Sequence, residues 1–359
     1  MIPMFKVFMS DKASGLVSSV LGSGMVGEGP KVKEFKSKLE NKLDTKNLIP
    51  LNSCTSALTL ALRVAGVKPG SEVISTPFTM IATNVAIMAL GAKIVWADVL
   101  PNSPNVDVKD VFRKVTTNTT AIMVTHVAGV PVDTQLLYDV NVPIIGDCAH
   151  AILTTFENMH IHYYSDFSCF SFQAIKQLNS ADGGALVCTN YTDYELAEKL
   201  KWFGMSRNIP AGMNRLEWQM KQDVTEWGYK FHMNDVTAAI GLANLEHLDQ
   251  LVKKQNRIAN YYLENIPKEM QFDIPLNCSP SWWLFPVRLK DREKYIGRFV
   301  EKEIEVSPMW RRNDHYRAFS DFTARLPNLD KLEKEILFLP CGWWLTLDDA
   351  EQVVKIIKS

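Results

Sequence analysis

The sequence has no Cys-x-x-Cys pair, no apolar run long enough to cross a bilayer and no surplus of either charge. Each absence excludes something. Six cysteines, Cys54, Cys148, Cys169, Cys188, Cys278 and Cys341, are scattered without paired spacing. In a chain of this size they read as free thiols of a cytoplasmic protein, not as a disulfide framework. His160 and His162 are two apart with no further ligand spaced to join them, so no metal site is expected. A net charge of -1, from 39 basic and 40 acidic residues, gives no electrostatic reason to expect nucleic acid as a partner. Met1-Ile2-Pro3-Met4-Phe5-Lys6 lacks the basic-then-apolar order of a secretory signal, and no membrane association is expected. No nucleophile-elbow glycine pattern supports a serine hydrolase.

What is present is enough apolar residue, 47% of 359, for a substantial core, and a length that suits a large domain plus a smaller one. Gly22 to Pro30 reads as an N-terminal arm or loop, followed by an amphipathic helix over 31–43. Beyond Ser53-Cys54-Thr55-Ser56, short apolar runs and helices alternate. Strands are predicted over 72–76, 93–96, 120–125, 143–146 and 185–188, with helices over 57–64 and 80–90 and a short one from Asp133. That rhythm predicts an α/β architecture around a largely parallel sheet. The texture changes near Leu248, so residues 1–249 are expected to form a large α/β domain and 250–359 a small α+β domain. The latter holds a predicted strand over 282–287 and a terminal helix over 348–358.

Three segments carry chemistry. Ile144-Ile145-Gly146-Asp147-Cys148-Ala149-His150 puts an acid just past an apolar strand, a favoured ligand address in α/β proteins. Ser171-Phe172-Gln173-Ala174-Ile175-Lys176 sets a lysine in a stretch of few charges, ahead of Asp182-Gly183-Gly184. Ser53-Cys54-Thr55-Ser56 offers hydroxyls and helix N-terminal amides to an anion. A lysine, a carboxylate and phosphate donors are the parts that pyridoxal 5'-phosphate needs. Taken singly, each is ambiguous: a lysine is usually surface charge, an Asp after a strand is often a cap, and Asp182-Gly183-Gly184 is a possible turn.

From about Gly24 to Leu248 these motifs resemble the DegT/DnrJ/EryC1/StrS family of sugar-nucleotide aminotransferases, with a fainter match beyond. The resemblance implies a type I aminotransferase fold with a mostly parallel seven-stranded sheet, and a homodimer with shared active sites. It implies that Lys176 binds pyridoxal 5'-phosphate covalently, with pyridoxamine 5'-phosphate as the alternate form, and that Asp147 meets the pyridine nitrogen. Ser171, Cys54 and Thr55 fall on phosphate ligands, and Ala149 on a small residue packed against the ring. Met80 stands where relatives often place an aromatic. Lys230 and His232, in Trp227 to Asp235, fall on a segment that reaches the partner's site, where relatives commonly have Asn and Arg. His150, His232, Arg311, Arg312 and Asn313 are the expected substrate contacts, whereas Trp343-Trp344 reads as packing. The expected reaction moves an amino group from L-glutamate to a nucleotide-linked keto-6-deoxyhexose at C4. Amination at C3, or a non-catalytic regulator or scaffold on the same fold, is the alternative. Lys176 argues against the deoxygenating relatives, which carry His at that place.

Overall fold

The computed structural model describes residues 1–359. A seven-stranded sheet holds β1 (Leu48–Leu51), β2 (Glu72–Ser75), β3 (Lys93–Trp96), β4 (Thr119–Thr125) and β5 (Ile144–Asp147). After the short strands β6 (Thr155–Phe156) and β7 (Met159–His160), it is completed by β8 (Phe167–Ser171) and β9 (Gly184–Cys188). The spatial order is β1-β9-β8-β5-β4-β2-β3. From β8 to β3 all neighbours are parallel, while β9 runs antiparallel to both β8 and β1. Six strands therefore share one direction and β9 alone is reversed. Val73-Ile74, Ala121 to Val124 and Ala185 to Val187 are all buried, as strands covered on both faces require.

Five of the predicted strands recur within one residue, and the sixth, expected over 282–287, starts three residues later at Phe285. The differences have local causes. The arm expected over 22–30 begins later, because a helix spans Ala13–Ser23 and closes at Gly24, which has a positive φ of 71°. Its Gly15 and Gly22 weaken the helical signal in the sequence. Pro50 sits in β1, at the edge of the sheet, where its missing N–H costs least.

The helix Pro30–Leu43 buries Val32, Phe35, Leu39 and Leu43, a 3–4 spacing that forms one apolar face. Its N-terminus is capped from afar. The carboxylate of Asp235, at the start of the helix Asp235–Leu245, accepts from the amides of Gly29 (2.9 Å), Lys31 (3.1 Å) and Val32 (2.9 Å).

The smaller C-terminal α+β region is built on the antiparallel pair β11 (Phe285–Arg288) and β12 (Ile336–Leu339); β10 (Cys278–Ser279) pairs with β6 instead. Ile258, Tyr262, Phe285, Phe299, Leu337 and Val353 share its core. The N-terminal residues run across both regions: Trp344 donates to the Pro3 carbonyl (3.2 Å), and Asn179 to that of Phe8 (2.7 Å). No helix is long and apolar enough to cross a membrane.

Candidate active site

In an open α/β sheet, ligands collect beyond the carboxyl ends of the parallel strands. Here β5 ends at Asp147 and β8 at Ser171, while Thr79 lies four residues past the end of β2, and all three residues line one cavity of about 380 Å³. Ser53, Cys54 and Thr55, at the start of the helix Cys54–Val64, line it as well, as do Met80, Ala149, His150, Lys176 and Gly183. The C-terminal region contributes Trp283, Met309 and Trp310.

Asp147 is buried, and its carboxylate is held from two sides. Thr83 Oγ1 donates to Oδ2 at 2.7 Å and the Ala149 amide donates to Oδ1 at 3.1 Å. Burial pushes its pKa up, against these two bonds and the nearby Lys176 charge. Behind Thr83 stands Thr79 at 2.9 Å, which in turn accepts from Thr125 at 3.2 Å. Lys176 is half-buried at the cavity wall. Desolvation pulls its pKa down from 10.5 to about 8, opposed by Asp147 and Cys54. An amine this close to neutrality is equipped both to attack a carbonyl and to carry a proton.

The phosphate-binding expectation meets a suitable cradle. Ser53 caps the helix Cys54–Val64 by accepting from the Ser56 amide at 3.0 Å, while the first amides of a helix have no partner within it. On β9, Gly184 passes close behind this turn: a Cβ there would stand 2.5 Å from the Cys54 nitrogen. Ser171 lines the same cavity. His150 is buried and neutral, its pKa held well below 6.5 by burial, and its Nδ1 has no partner. A lysine, a buried carboxylate, a helix N-terminus and an unpaired imidazole nitrogen around one cavity form a donor set that fits pyridoxal phosphate.

The other residues expected from the sequence divide between the cavity and places outside it. Met80 lines the cavity but is half-exposed, and its sulfur accepts from the Ala82 amide at 3.0 Å. Lys230 and His232 lie outside this cavity, against Trp202. Arg311 is exposed, with its guanidinium donating to the His315 carbonyl at 2.8 Å. Arg312 and Asn313, expected as substrate contacts, turn inward and lie outside the cavity lining. Arg312 is buried and paired with Asp314 (2.6 Å) and Asp330 (2.5 Å). Asn313 donates to the Thr79 carbonyl (2.9 Å) and accepts from Asn84 (2.8 Å). Met309 and Trp310 of that segment line the cavity in their place. Trp343 donates to the Lys6 carbonyl at 3.3 Å, in keeping with a packing role.

Sequence reasoning missed Thr83, Trp283 and Trp310. Thr83 lies in the first turn of the helix Ile81–Met88 and Thr79 in the loop just before it, so their contact at 2.9 Å depends on how that loop enters the helix. Nothing in the sequence indicates that Thr83 meets Asp147.

Residues 9–358 match the model of the DegT/DnrJ/EryC1/StrS aminotransferase family. The chain superposes on AtS13 from Actinomadura melliaura with a TM-score of 0.94 and 35% identity, covering 100% of this chain and 98% of the other. For the sugar aminotransferase CalS13 from Micromonospora echinospora the TM-score is 0.92 and the identity 33%, covering 100% and 99%. A UDP-4-amino-4,6-dideoxy-N-acetyl-beta-L-altrosamine transaminase of Campylobacter jejuni is 30% identical, over 92% of this chain and 90% of its own length. With this fold, this cavity and a match over nearly its whole length, the chain is an enzyme of the DegT/DnrJ/EryC1/StrS family of pyridoxal-phosphate-dependent aminotransferases.

Proposed function

We propose that this enzyme transfers an amino group from L-glutamate to a nucleotide-linked keto-6-deoxyhexose, at C4 of the sugar. The observation that carries the reading is a lysine poised near neutrality in the same cavity as a buried, hydrogen-bonded carboxylate. The C4 assignment is supported by the Campylobacter relative, named for a UDP-linked 4-amino sugar. When bound, pyridoxal phosphate supplies an electron sink for the carbon that bears the substrate nitrogen.

The chain's residues do the rest. Lys176 Nζ would hold the cofactor and, once free, would act as the base that takes a proton from the substrate carbon. In the second half of the cycle the same amine would return a proton to the sugar carbon. Asp147 would meet the ring nitrogen and keep it protonated, its carboxylate held by the Thr83 hydroxyl and the Ala149 amide. Ser171 and the helix start at Cys54 and Thr55 would bind the phosphate. Ala149 and Met80, which line the cavity, would pack against the ring, and His150 would offer its free Nδ1 to the ligands. Arg311 keeps an exposed guanidinium for the sugar nucleotide.

Lys230 and His232, outside the cavity of their own chain, would serve the site of a second copy, so the active form is a homodimer. Residues 1–249 would bind the cofactor and 250–359 close over the substrate, and six free thiols accord with a cytoplasmic enzyme. Adding L-glutamate to the protein with pyridoxal phosphate is expected to abolish the visible absorbance of lysine-bound cofactor. One member of a panel of nucleotide-linked keto sugars is expected to restore it. Absorbance unmoved by every amino donor would overturn the assignment.

A further inference from the structure

Trp283 comes from the C-terminal region but lies against the lysine loop. Its indole N–H donates to the Ile175 carbonyl at 3.0 Å, the peptide group immediately before Lys176. The ring is buried and packed on aromatic neighbours from two other parts of the chain. The His150 imidazole lies 4.0 Å away at 6° from parallel, and the Phe5 ring 5.2 Å away at 26°. Lys176 Nζ stands 3.6 Å from the centroid of this fixed indole. An amine over an indole face in a desolvated pocket is attracted in its charged form, because the ring quadrupole is negative on that face.

We propose that Trp283 is a positioning residue that holds the ammonium form of Lys176 whenever the lysine is not covalently engaged. The inference rests on Lys176 carrying the cofactor, as proposed above. In that reading the lysine must leave, keep a proton, give it up and return to one place. The other groups facing it are Asp147 from the end of β5, Cys54 from the helix start and His150 from the turn after β5, with Asp182 on the same cavity. Asp147 and Cys54 favour the ammonium, and His150, being neutral, adds no charge to oppose it. Trp283 differs from all four in attracting the charge without having a proton to exchange. It can therefore hold the ammonium without competing for its proton.

The test uses the cofactor-free protein. Trace acetylation with acetic anhydride over a pH series, read by mass spectrometry at the Lys176 peptide, gives the midpoint at which its amine becomes reactive. In Trp283→Leu that midpoint is expected to fall by about one pH unit, whereas Trp283→Phe, which keeps an aromatic face, should stay within about a few tenths. Trp283→Met replaces the Leu variant if the latter does not fold, as judged by circular dichroism. A midpoint that does not move in the Leu or Met variant, or that moves equally in the Phe variant, overturns the proposal. Either result leaves the aminotransferase assignment standing, whereas wild-type protein that gives no visible absorbance with pyridoxal phosphate removes both.

Discussion

Thr83 Oγ1 donates to Asp147 Oδ2 at 2.7 Å, and the hydroxyl has a second partner, Thr79, only 2.9 Å away. With Thr125 donating to Thr79, three hydroxyls can point their protons in one direction, toward the carboxylate. Such a relay stabilises Asp147 as an anion, the form that a protonated ring nitrogen needs.

Replacing Thr83 by Val keeps the shape and removes the donor. A hydrogen bond to a charged group contributes about 1.5–3 kcal/mol, so pyridoxal phosphate should bind roughly 10- to 100-fold more weakly. An absorbance titration of the purified variant measures this. An unchanged affinity would mean that the Ala149 amide alone holds the carboxylate.

The lysine has a signature in stability that requires no substrate. Its pKa is about 8 in the folded protein and 10.5 ordinarily, so the fold disfavours its charged form. Below pH 8 both folded and unfolded chains are protonated and the destabilisation is complete. Between about 8 and 10.5 the unfolded chain binds more protons, and stability rises with pH. Lys176→Met should therefore stabilise the cofactor-free protein at neutral pH, with the gain shrinking toward pH 10.5. Urea melts of both proteins at two pH values check the sign. The same variant should show no transamination.

Asp235 is a buried acid that reaches no ligand; it caps a helix from another part of the chain. Asp235→Ala would leave three amides without their shared acceptor and should cost about 2–4 kcal/mol of stability. Asp235→Asn, which keeps an acceptor oxygen, should lose roughly half as much. Denaturant midpoints of the two variants give the comparison.

Arg311 and Arg312 are neighbours with opposite surroundings. Arg312→Met removes a buried cation from Asp314 and Asp330, and the melting temperature should fall by several degrees. Arg311→Met should leave the melting temperature unchanged and raise KM for the sugar nucleotide about tenfold. A drop in melting temperature confined to the Arg311 variant would reverse the two roles.

The parts of the site written in short local patterns were legible in the sequence. Asp147 stands out because it follows an apolar strand, and Lys176 because few charges surround it. Ser53 to Ser56 looks like a helix start because its hydroxyl residues precede an Ala/Leu-rich run. Each signal needs only neighbours along the chain. Trp283 is more than one hundred residues beyond Lys176 in sequence, and in isolation its Trp-Trp-Leu-Phe setting reads as a buried strand. What makes it part of the site is the packing of the C-terminal region on the lysine loop, which no local period encodes. Arg312 and Asn313 show the reverse case. Polar residues in a loop suggest contact with solvent or ligand, yet here tertiary partners draw both inward. The helix Ala13–Ser23 was hidden by its glycines and is sustained by packing on the helix Asp235–Leu245.

The reversal of β9 determines how stiffly the lysine is mounted. Most connections in this sheet travel through a crossover before the next parallel strand, but the segment bearing Lys176 joins β8 to its immediate antiparallel neighbour. Both ends of the loop are tied by one ladder, from Phe167 opposite Cys188 to Ser171 opposite Gly184. The loop has little compliance relative to Ser171 and the Cys54 turn, because any displacement of its ends would have to shear that ladder. Adjustment to sugars of different shape then falls to the opposite wall, where Met309 and Trp310 stand on a segment outside the sheet. Within such a design, acceptor range can drift by substitution on one wall while the cofactor's mounting stays the same.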